Sequence, residues 1–174
     1  KKTMRSTVRF IKLLWAIYFL FCFVILFLLL YPMFLVFLSR SQWYPLAHKL
    51  RAIWGRILMF MTGIFPKVEF EQPLNKKSTY IFAPNHFSYL DILSVNVLIP
   101  VYFNFMAKHS LKKVPLFNIF FRTIDIPVDR ASNKSSHQAF TEAGARLKGG
   151  TSLLLFPEGK IGSKAPQMSH FKLG

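Results

Sequence analysis

Residues 78–91 read STYIFAPNHFSYLD, and this stretch decides the fold. Residues 78–83 form a short, largely apolar run that stops at a proline, which predicts a buried strand. Residues 88–98 predict a helix, so a strand is followed almost at once by a helix. His86 and Asp91 lie around this connection, where an α/β sheet usually carries its functional residues.

The same alternation continues along the chain. Strands are predicted at 101–106, 124–128 and 152–156, and helices at 116–121 and 136–148. Short strands that alternate with helices are typical of βαβ units. We therefore predict an α/β domain over residues 67–174, with a mixed sheet flanked by helices, and we expect this domain to be incomplete at its C-terminal end.

The first 66 residues have a different composition. Residues 13–38, LLWAIYFLFCFVILFLLLYPMFLVFL, hold no charged side chain, and these 26 residues exceed the roughly 20 that cross a bilayer. Residues 42–61 predict an amphipathic helix. Its apolar stripe is Leu46, Leu50, Ile53, Trp54, Ile57 and Met61, and the side chains outside the stripe include His48, Arg51 and Arg56. We therefore predict a membrane-associated helical segment, residues 1–66, in front of the α/β domain.

Each of these two segments fits two arrangements. Residues 13–38 either span the bilayer once or dip into it and return, and we favour the shallow arrangement because basic residues flank both ends. Residues 42–61 either lie at the membrane interface or pack on the core of the protein itself.

Composition narrows the class of partner. The formal charge is +16, from 23 Lys and Arg against 7 Asp and Glu, and such a charge attracts nucleic acid or anionic lipid. The long apolar segment favours lipid and a membrane location over nucleic acid. Cys22 is the only cysteine, which excludes a disulfide within the chain and a cysteine-based metal site.

His86 and Asp91 are candidate catalytic residues. Five residues turn a regular helix by about 500°, so the two side chains cannot share one helical face. Ser88 and Asp91 have the spacing of a capping box, which predicts that Ser88 is the N-cap and that His86 lies in the loop before it. Asp91 could then reach back to the imidazole, which would accept a proton from a substrate hydroxyl. The alternative is a helix cap beside an exposed loop histidine.

Three further strand ends carry polar or cationic residues. These candidate substrate-binding residues are Lys108, Arg130, Phe156, Pro157, Glu158, Gly159 and Lys160. Each of them taken alone fits a surface charge or an ordinary turn. Together they place cations beside a base at one edge of a sheet, which suits a phosphorylated hydroxyl compound.

Four blocks of sequence resemble a known family. NHFSYLD at 85–91 is similar to the N-H-x-x-x-x-D signature of the glycerolipid acyltransferases, especially the 1-acyl-glycerol-3-phosphate acyltransferases. AKHSLKKVPLF at 107–117 with IPVDR at 126–130 resembles their second block, and FPEG at 156–159 their third. FKLG at 171–174 resembles the lead-in to a fourth.

This resemblance implies an activity. His86 would be the general base and Asp91 its partner, and the acceptor hydroxyl would attack the thioester of acyl-CoA or acyl carrier protein directly. Arg130 and the FPEG turn would hold the glycerol phosphate, giving phosphatidic acid for phospholipid synthesis. The family often continues FPEG as Thr-Arg-Ser, whereas this chain has Lys160-Ile161-Gly162. The exact acceptor is therefore open.

The expected partners follow from this activity. They are membrane lipid, lysophosphatidic acid and the acyl thioester as co-substrate, with no metal, no bound cofactor and no nucleic acid. Because acyl thioesters are made in the cytosol, the α/β domain is expected on the cytoplasmic face of a membrane. Acylation of another lysolipid or of glycerol 3-phosphate is the alternative, and a non-catalytic module that binds anionic lipid is the alternative from another class.

Overall fold

The N-terminal region forms a pair of antiparallel helices. The computed structural model of the protein describes residues 2–129, 131–161 and 171. Helix α1 is Lys2–Phe37, a short 3₁₀ turn follows at Ser41–Trp43, and helix α2 is Tyr44–Met61. The indole of Trp15 donates to the carbonyl of Thr62 at 3.1 Å, so the early part of α1 lies beside the end of α2.

Helix α1 is continuous through Pro32, and at 36 residues it is about 54 Å long. The apolar run therefore does not turn back within itself, as the shallow arrangement had supposed; the return is made by α2. Most large apolar side chains of α1 are exposed, and by length and composition its Ser6–Phe37 portion could cross a membrane.

The remaining described residues form an α/β unit. Its elements are β1 Ile81–Phe82, α3 Leu90–Leu98, β2 Phe103–Lys108, α4 Asn118–Thr123, β3 Ile126–Val128, α5 Asn133–Lys148 and β4 Ser152–Leu155, with a 3₁₀ turn at His109–Lys113. The strand order is β1-β4-β2-β3. The predicted α/β class is confirmed, and every predicted strand or helix of this region lies within a few residues of an observed one.

All three strand pairings in the described part of the chain are parallel. The sequence had predicted a mixed sheet, and the pairings found here are those of a parallel one. The strands β1, β2 and β3 are each followed by a crossover that returns the chain to the amino edge of the sheet, as parallel pairing requires. The carboxyl ends of the four strands consequently meet at one edge of the sheet.

Helices cover both faces of this sheet. Ala139 and Ala143 of α5 pack on one face, against a cluster that includes Met106. Ile92 and Val95 of α3 pack on the other face, against a cluster that includes Phe105. Successive residues of a strand point to opposite faces of the sheet, so the neighbours Phe105 and Met106 of β2 belong to different clusters.

The helix pair docks on α3 and α4. A Cβ added at Gly55 would lie 2.7 Å from Cγ2 of Val97, so the glycine permits close approach of α2 to α3. Phe27 and Phe34 of α1 and Trp54 of α2 pack with Phe120 of α4 in one buried cluster. One face of the second half of α1 thus packs on α2 and α4, while side chains on its other faces, such as Leu29 and Val36, are exposed.

One prediction about α2 is wrong. His48 and Arg51 were expected outside its apolar stripe, yet both are buried, while Ile53 and Ile57 of that stripe are exposed. Arg51 turns inward because Nη1 pairs with Oδ2 of Asp125 at 2.8 Å. One face of α2 therefore packs on the core, and another face leaves apolar side chains uncovered.

Candidate active site

The structure brings His86 and Asp91 together. His86 lies in the loop between β1 and α3, and Asp91 lies in the first turn of α3. Nδ1 of His86 is 3.1 Å from Oδ2 of Asp91, and the two side chains are 12% and 26% exposed. The two side chains can meet despite the five-residue spacing because only Asp91 lies on the helix, whereas His86 lies in the loop before it.

The start of α3 differs by one residue from the prediction. Helix α3 begins at Leu90 with Tyr89 at the N-cap position, and the Tyr89 side chain makes no capping bond. Ser88, the predicted N-cap, still makes two capping bonds: its Oγ accepts from the backbone N of Leu90, two residues on, and its own N donates to Oδ2 of Asp91, which is the second bond of a capping box. Tyr89 has helical dihedral angles, which explains the one-residue difference.

Oδ2 of Asp91 accepts from three donors. Besides His86 they are the backbone N–H groups of Phe87, at 2.6 Å, and Ser88, at 2.8 Å. A carboxylate held in this way only accepts, so the proton of the imidazole lies on Nδ1. Nε2 of His86 then carries the lone pair. The arrangement is that of a base whose tautomer is fixed by its neighbour.

Glu158 supports the same loop from the neighbouring strand. Its Oε1 accepts from the backbone N of His86 at 2.8 Å, and its side chain is fully buried. The sequence predicts a substrate contact for Glu158, and that role stays a prediction. In the structure its carboxylate holds the backbone of His86, an interaction across 72 residues that no local pattern indicates.

Phe156 packs directly on the candidate base. Its ring stacks on the imidazole of His86 with 4.0 Å between centroids and 21° between planes. Pro157 is half-buried in the turn that follows, and Gly159, whose φ is +73°, closes this turn through its N–H to the carbonyl of Phe156. A left-handed φ is inexpensive only for glycine. The FPEG turn thus fixes both the ring and the backbone of His86.

The predicted cationic residues form no hydrogen bond or ion pair with His86 or Asp91 in the described part of the chain. Lys108 ends β2 and is exposed, at the same edge of the sheet as His86. Lys160 is exposed just after the FPEG turn. Arg130 lies outside the described residues. Neither lysine forms an ion pair within the described residues, and the substrate-binding roles remain predictions.

No group of three or more His, Cys, Asp or Glu side chains in the described ranges is placed to hold a metal ion. The site in the described residues therefore consists of an acid–base pair, a buried carboxylate that holds it, and an aromatic ring that packs on it. Such a constellation can accept and return one proton at Nε2 of His86.

Comparison with known proteins identifies the family. A family model described as Acyltransferase matches residues 55–174. The chain belongs to the acyltransferase family. The matched region contains His86, Asp91 and the FPEG turn, so the resemblance drawn from the sequence motifs is confirmed.

Curated members of the acyltransferase family resemble this chain at modest identity. A lyso-ornithine lipid O-acyltransferase of Rhizobium meliloti is 29% identical over 107 residues, which are 61% of this chain and 35% of that protein. A 1-acyl-sn-glycerol-3-phosphate acyltransferase of Borreliella burgdorferi is 32% identical over 105 residues, 60% of this chain and 42% of that protein. An uncharacterised acyltransferase of Schizosaccharomyces pombe is 30% identical over 131 residues, which are 74% of this chain and 43% of that protein.

A solved acyltransferase structure shares the fold. The 1-acyl-sn-glycerophosphate acyltransferase PlsC of Thermotoga maritima matches with a TM-score of 0.72 and 25% identity, over 94% of this chain and 67% of that one. The matches to the curated relatives span between 35% and 43% of the relatives' own length. The chain thus has the fold of a lysophosphatidic acid acyltransferase and covers only part of its curated relatives.

Proposed function

We propose that this chain moves a fatty acyl group from acyl-CoA or acyl carrier protein to the free hydroxyl of 1-acyl-glycerol-3-phosphate, giving phosphatidic acid. The observation that carries the proposal is the pair His86–Asp91, 3.1 Å apart at the carboxyl edge of an acyltransferase-family sheet. The relatives named for the same reaction support the choice of acceptor.

The site supports a direct transfer. Nε2 of His86 accepts the proton of the acceptor hydroxyl as its oxygen attacks the thioester carbonyl, and a tetrahedral oxyanion forms. The carbon–sulfur bond then breaks, and the thiolate receives the proton from the imidazolium. Asp91 stabilises that imidazolium through Nδ1, and its bonds to Phe87 and Ser88 keep it in place during the proton transfers.

Cations near this edge suit the charge of the acceptor. Lys108 follows β2 and Lys160 follows the FPEG turn, and both are exposed. In our proposal these lysines, together with Arg130, attract the phosphate of the glycerolipid. A lysine acts on a phosphate as a point charge and lacks the two-pronged geometry of arginine.

A second acceptor is supported by two observations. One relative is named a lyso-ornithine lipid O-acyltransferase. This chain also has Lys160-Ile161-Gly162 where lysophosphatidic acid acyltransferases often have an arginine. An acceptor without a phosphate would have less need of that arginine.

We propose further that α1 and α2 attach the protein to a membrane without carrying α1 straight through it. The second half of α1 packs on the α/β unit through Phe27 and Phe34, so one face of this half is held by protein, while other faces leave apolar side chains such as Leu29 exposed. The stretch of α1 before this docked half, from Ser6 to about Phe21, is about 24 Å long, which is less than the roughly 30 Å of a hydrocarbon core, so a full crossing would carry the docked half into the membrane. A cytoplasmic orientation follows from the origin of the thioester.

A substrate panel tests the reaction and its acceptor. The purified protein in detergent is given labelled acyl-CoA or labelled acyl carrier protein, with lysophosphatidic acid, lyso-ornithine lipid or glycerol 3-phosphate. We expect labelled phosphatidic acid as the main product. If labelled ornithine lipid were the only product, the acceptor would be lyso-ornithine lipid and the proposed acyl transfer would still stand. Binding of anionic vesicles with no product from any pair would instead favour a non-catalytic lipid-binding module.

A further inference from the structure

A cavity lies at the amino end of β2, away from His86. It has a volume of about 290 Å³ and opens between α2 and the segment that leads into β2. Its lining residues are Pro45, His48, Lys49, Ala52, Ile53, Arg56, Ile99, Pro100, Val101 and Tyr102. Because β2 begins at Phe103, the cavity lies at the amino end of that strand, and the catalytic edge lies at the other end. The six residues of β2 separate the two by about 20 Å.

The charge of this cavity is uniformly positive. Lys49 and Arg56 are its two cations, both exposed on α2, and none of the lining residues is acidic. All seven acidic residues of the chain lie in its described part, and none forms an ion pair with either cation. The cavity therefore offers two uncompensated positive charges to a ligand.

The inner wall of the cavity is held by buried contacts. His48 is 6% exposed, and its imidazole packs edge-on against Tyr102. Its Nδ1 lies 3.5 Å from Nη2 of Arg51, which is itself paired with Asp125. Burial, followed by the charge of Arg51, lowers the pKa of His48 to about 3, so this wall is neutral. The positive charge of the cavity thus comes from its rim and does not depend on His48.

The cavity is flanked by an exposed apolar row. Leu46, Ile53, Ile57 and Phe60 lie along α2 at helical spacing, and they are 40%, 45%, 39% and 74% exposed. Ile53 belongs both to this row and to the cavity lining. A ligand that fits both features has an anionic head and apolar chains.

We propose that the cavity binds the phosphate headgroup of an anionic phospholipid in the membrane surface. The acyl chains of that lipid lie beside the apolar row of α2, and Lys49 and Arg56 contact the phosphate. This lipid is a docking ligand and not the acyl acceptor, since the cavity is at the opposite end of β2 from His86. The inference does not depend on which acceptor the active site uses.

Vesicle binding by charge-matched variants tests the proposal. The purified protein is mixed with vesicles of phosphatidylcholine, with or without phosphatidylglycerol, and sedimented. The test variant is Lys49→Gln with Arg56→Gln. The matched control is Lys134→Gln with Lys148→Gln, which removes the same charge from exposed positions on α5, across the sheet. Thermal unfolding in detergent checks that both variants fold.

The test variant is expected to lose roughly 10- to 30-fold in affinity for vesicles with phosphatidylglycerol, at about 1 kcal/mol for each cation near the surface. Its binding to phosphatidylcholine alone should not change, because the apolar row is intact. The α5 control should lose less than threefold. An equal loss in both variants would overturn the proposal, because it would mean diffuse attraction by net charge, and so would full affinity in the test variant.

Discussion

A single carboxylate oxygen organises the candidate site at the scale of residues. Oδ2 of Asp91 accepts from the imidazole of His86 and from two backbone N–H groups, and it thereby fixes both the loop and the tautomer. This part of the site could be predicted from the sequence. Its contacts span no more than five residues, and capping-box spacing is a local pattern.

Asp91→Asn tests this role. The amide would keep its oxygen toward the backbone N–H groups of Phe87 and Ser88, but the negative charge that stabilises the imidazolium of His86 would be lost. We expect kcat to fall on the order of 10²- to 10⁴-fold while the fold is kept. Acyl-transfer rates, with thermal unfolding as the folding check, measure this. A variant that retains more than a third of the activity would contradict the assigned role.

The backbone contact of Glu158 could not be predicted from the sequence. Its partner, the backbone N of His86, is 72 residues away, and only the pairing of β1 with β4 brings the two together. The motif FPEG does not indicate whether the carboxylate of its glutamate is buried or faces the substrate.

Glu158→Ala separates the positioning role from a substrate contact. Loss of the acceptor loosens the backbone of His86, so we expect kcat to fall about 10- to 100-fold with little change in KM for the lipid acceptor. Glu158→Gln keeps an acceptor oxygen and should retain more of kcat. A large rise in KM with kcat unchanged would show that the carboxylate holds substrate instead.

At the scale of elements, α2 is tied to the sheet by one buried ion pair. Oδ2 of Asp125 accepts from Arg51, and Oδ1 accepts from the backbone N of Phe105 in β2. Arg51 was predicted to lie outside the apolar stripe because it is charged. The prediction was wrong because its partner Asp125 is 74 residues further along the chain, and no local pattern indicates this pair. The element boundaries were predicted more closely, because they depend on local periodicity and turn residues.

Removing one partner of this pair should be costly. Arg51→Met leaves the carboxylate of Asp125 buried without its cation, and we expect a loss of about 3–5 kcal/mol in the free energy of unfolding. Asp125→Asn added to Arg51→Met should recover part of that loss, since no buried charge remains. Denaturant titration in detergent gives both values. A loss below 1 kcal/mol in the single variant would show that water reaches the pair.

His48 on the same helix should make stability depend on pH. Its pKa is lowered from 6.5 to about 3 by burial and by Arg51, so it stays neutral in the folded protein while the unfolded chain takes up a proton. Stability is therefore lost as pH falls below 6.5, by about 2 kcal/mol between pH 7.5 and pH 5.

Thermal unfolding of wild type and His48→Gln at these two pH values checks the effect. The drop between pH 7.5 and pH 5 should be smaller in the variant. The raised pKa of Asp125, caused by burial, acts with the opposite sign, but it is present in both proteins and cancels in the comparison. Equal drops in the two proteins would mean that His48 protonates in the folded state.

At the scale of the whole molecule, the strand order brings the residues of the candidate site together. The order β1-β4-β2-β3 places the His86 loop beside the FPEG turn, and parallel pairing puts Lys108 at the same edge. The alternation of strands and helices predicted such an edge. The order itself could not be predicted, because β1 and β4 are separated by two intervening strands and no local pattern records their pairing.

The proposed acyl transfer depends most directly on His86. Its test is the initial rate of labelled product formation from lysophosphatidic acid and labelled acyl-CoA, measured for wild type, His86→Ala and the control His137→Ala, an exposed histidine on α5. We predict that His86→Ala loses about 10²- to 10⁴-fold in kcat and that His137→Ala retains the wild-type rate. Equal rates in wild type and a folded His86→Ala variant would contradict the mechanism.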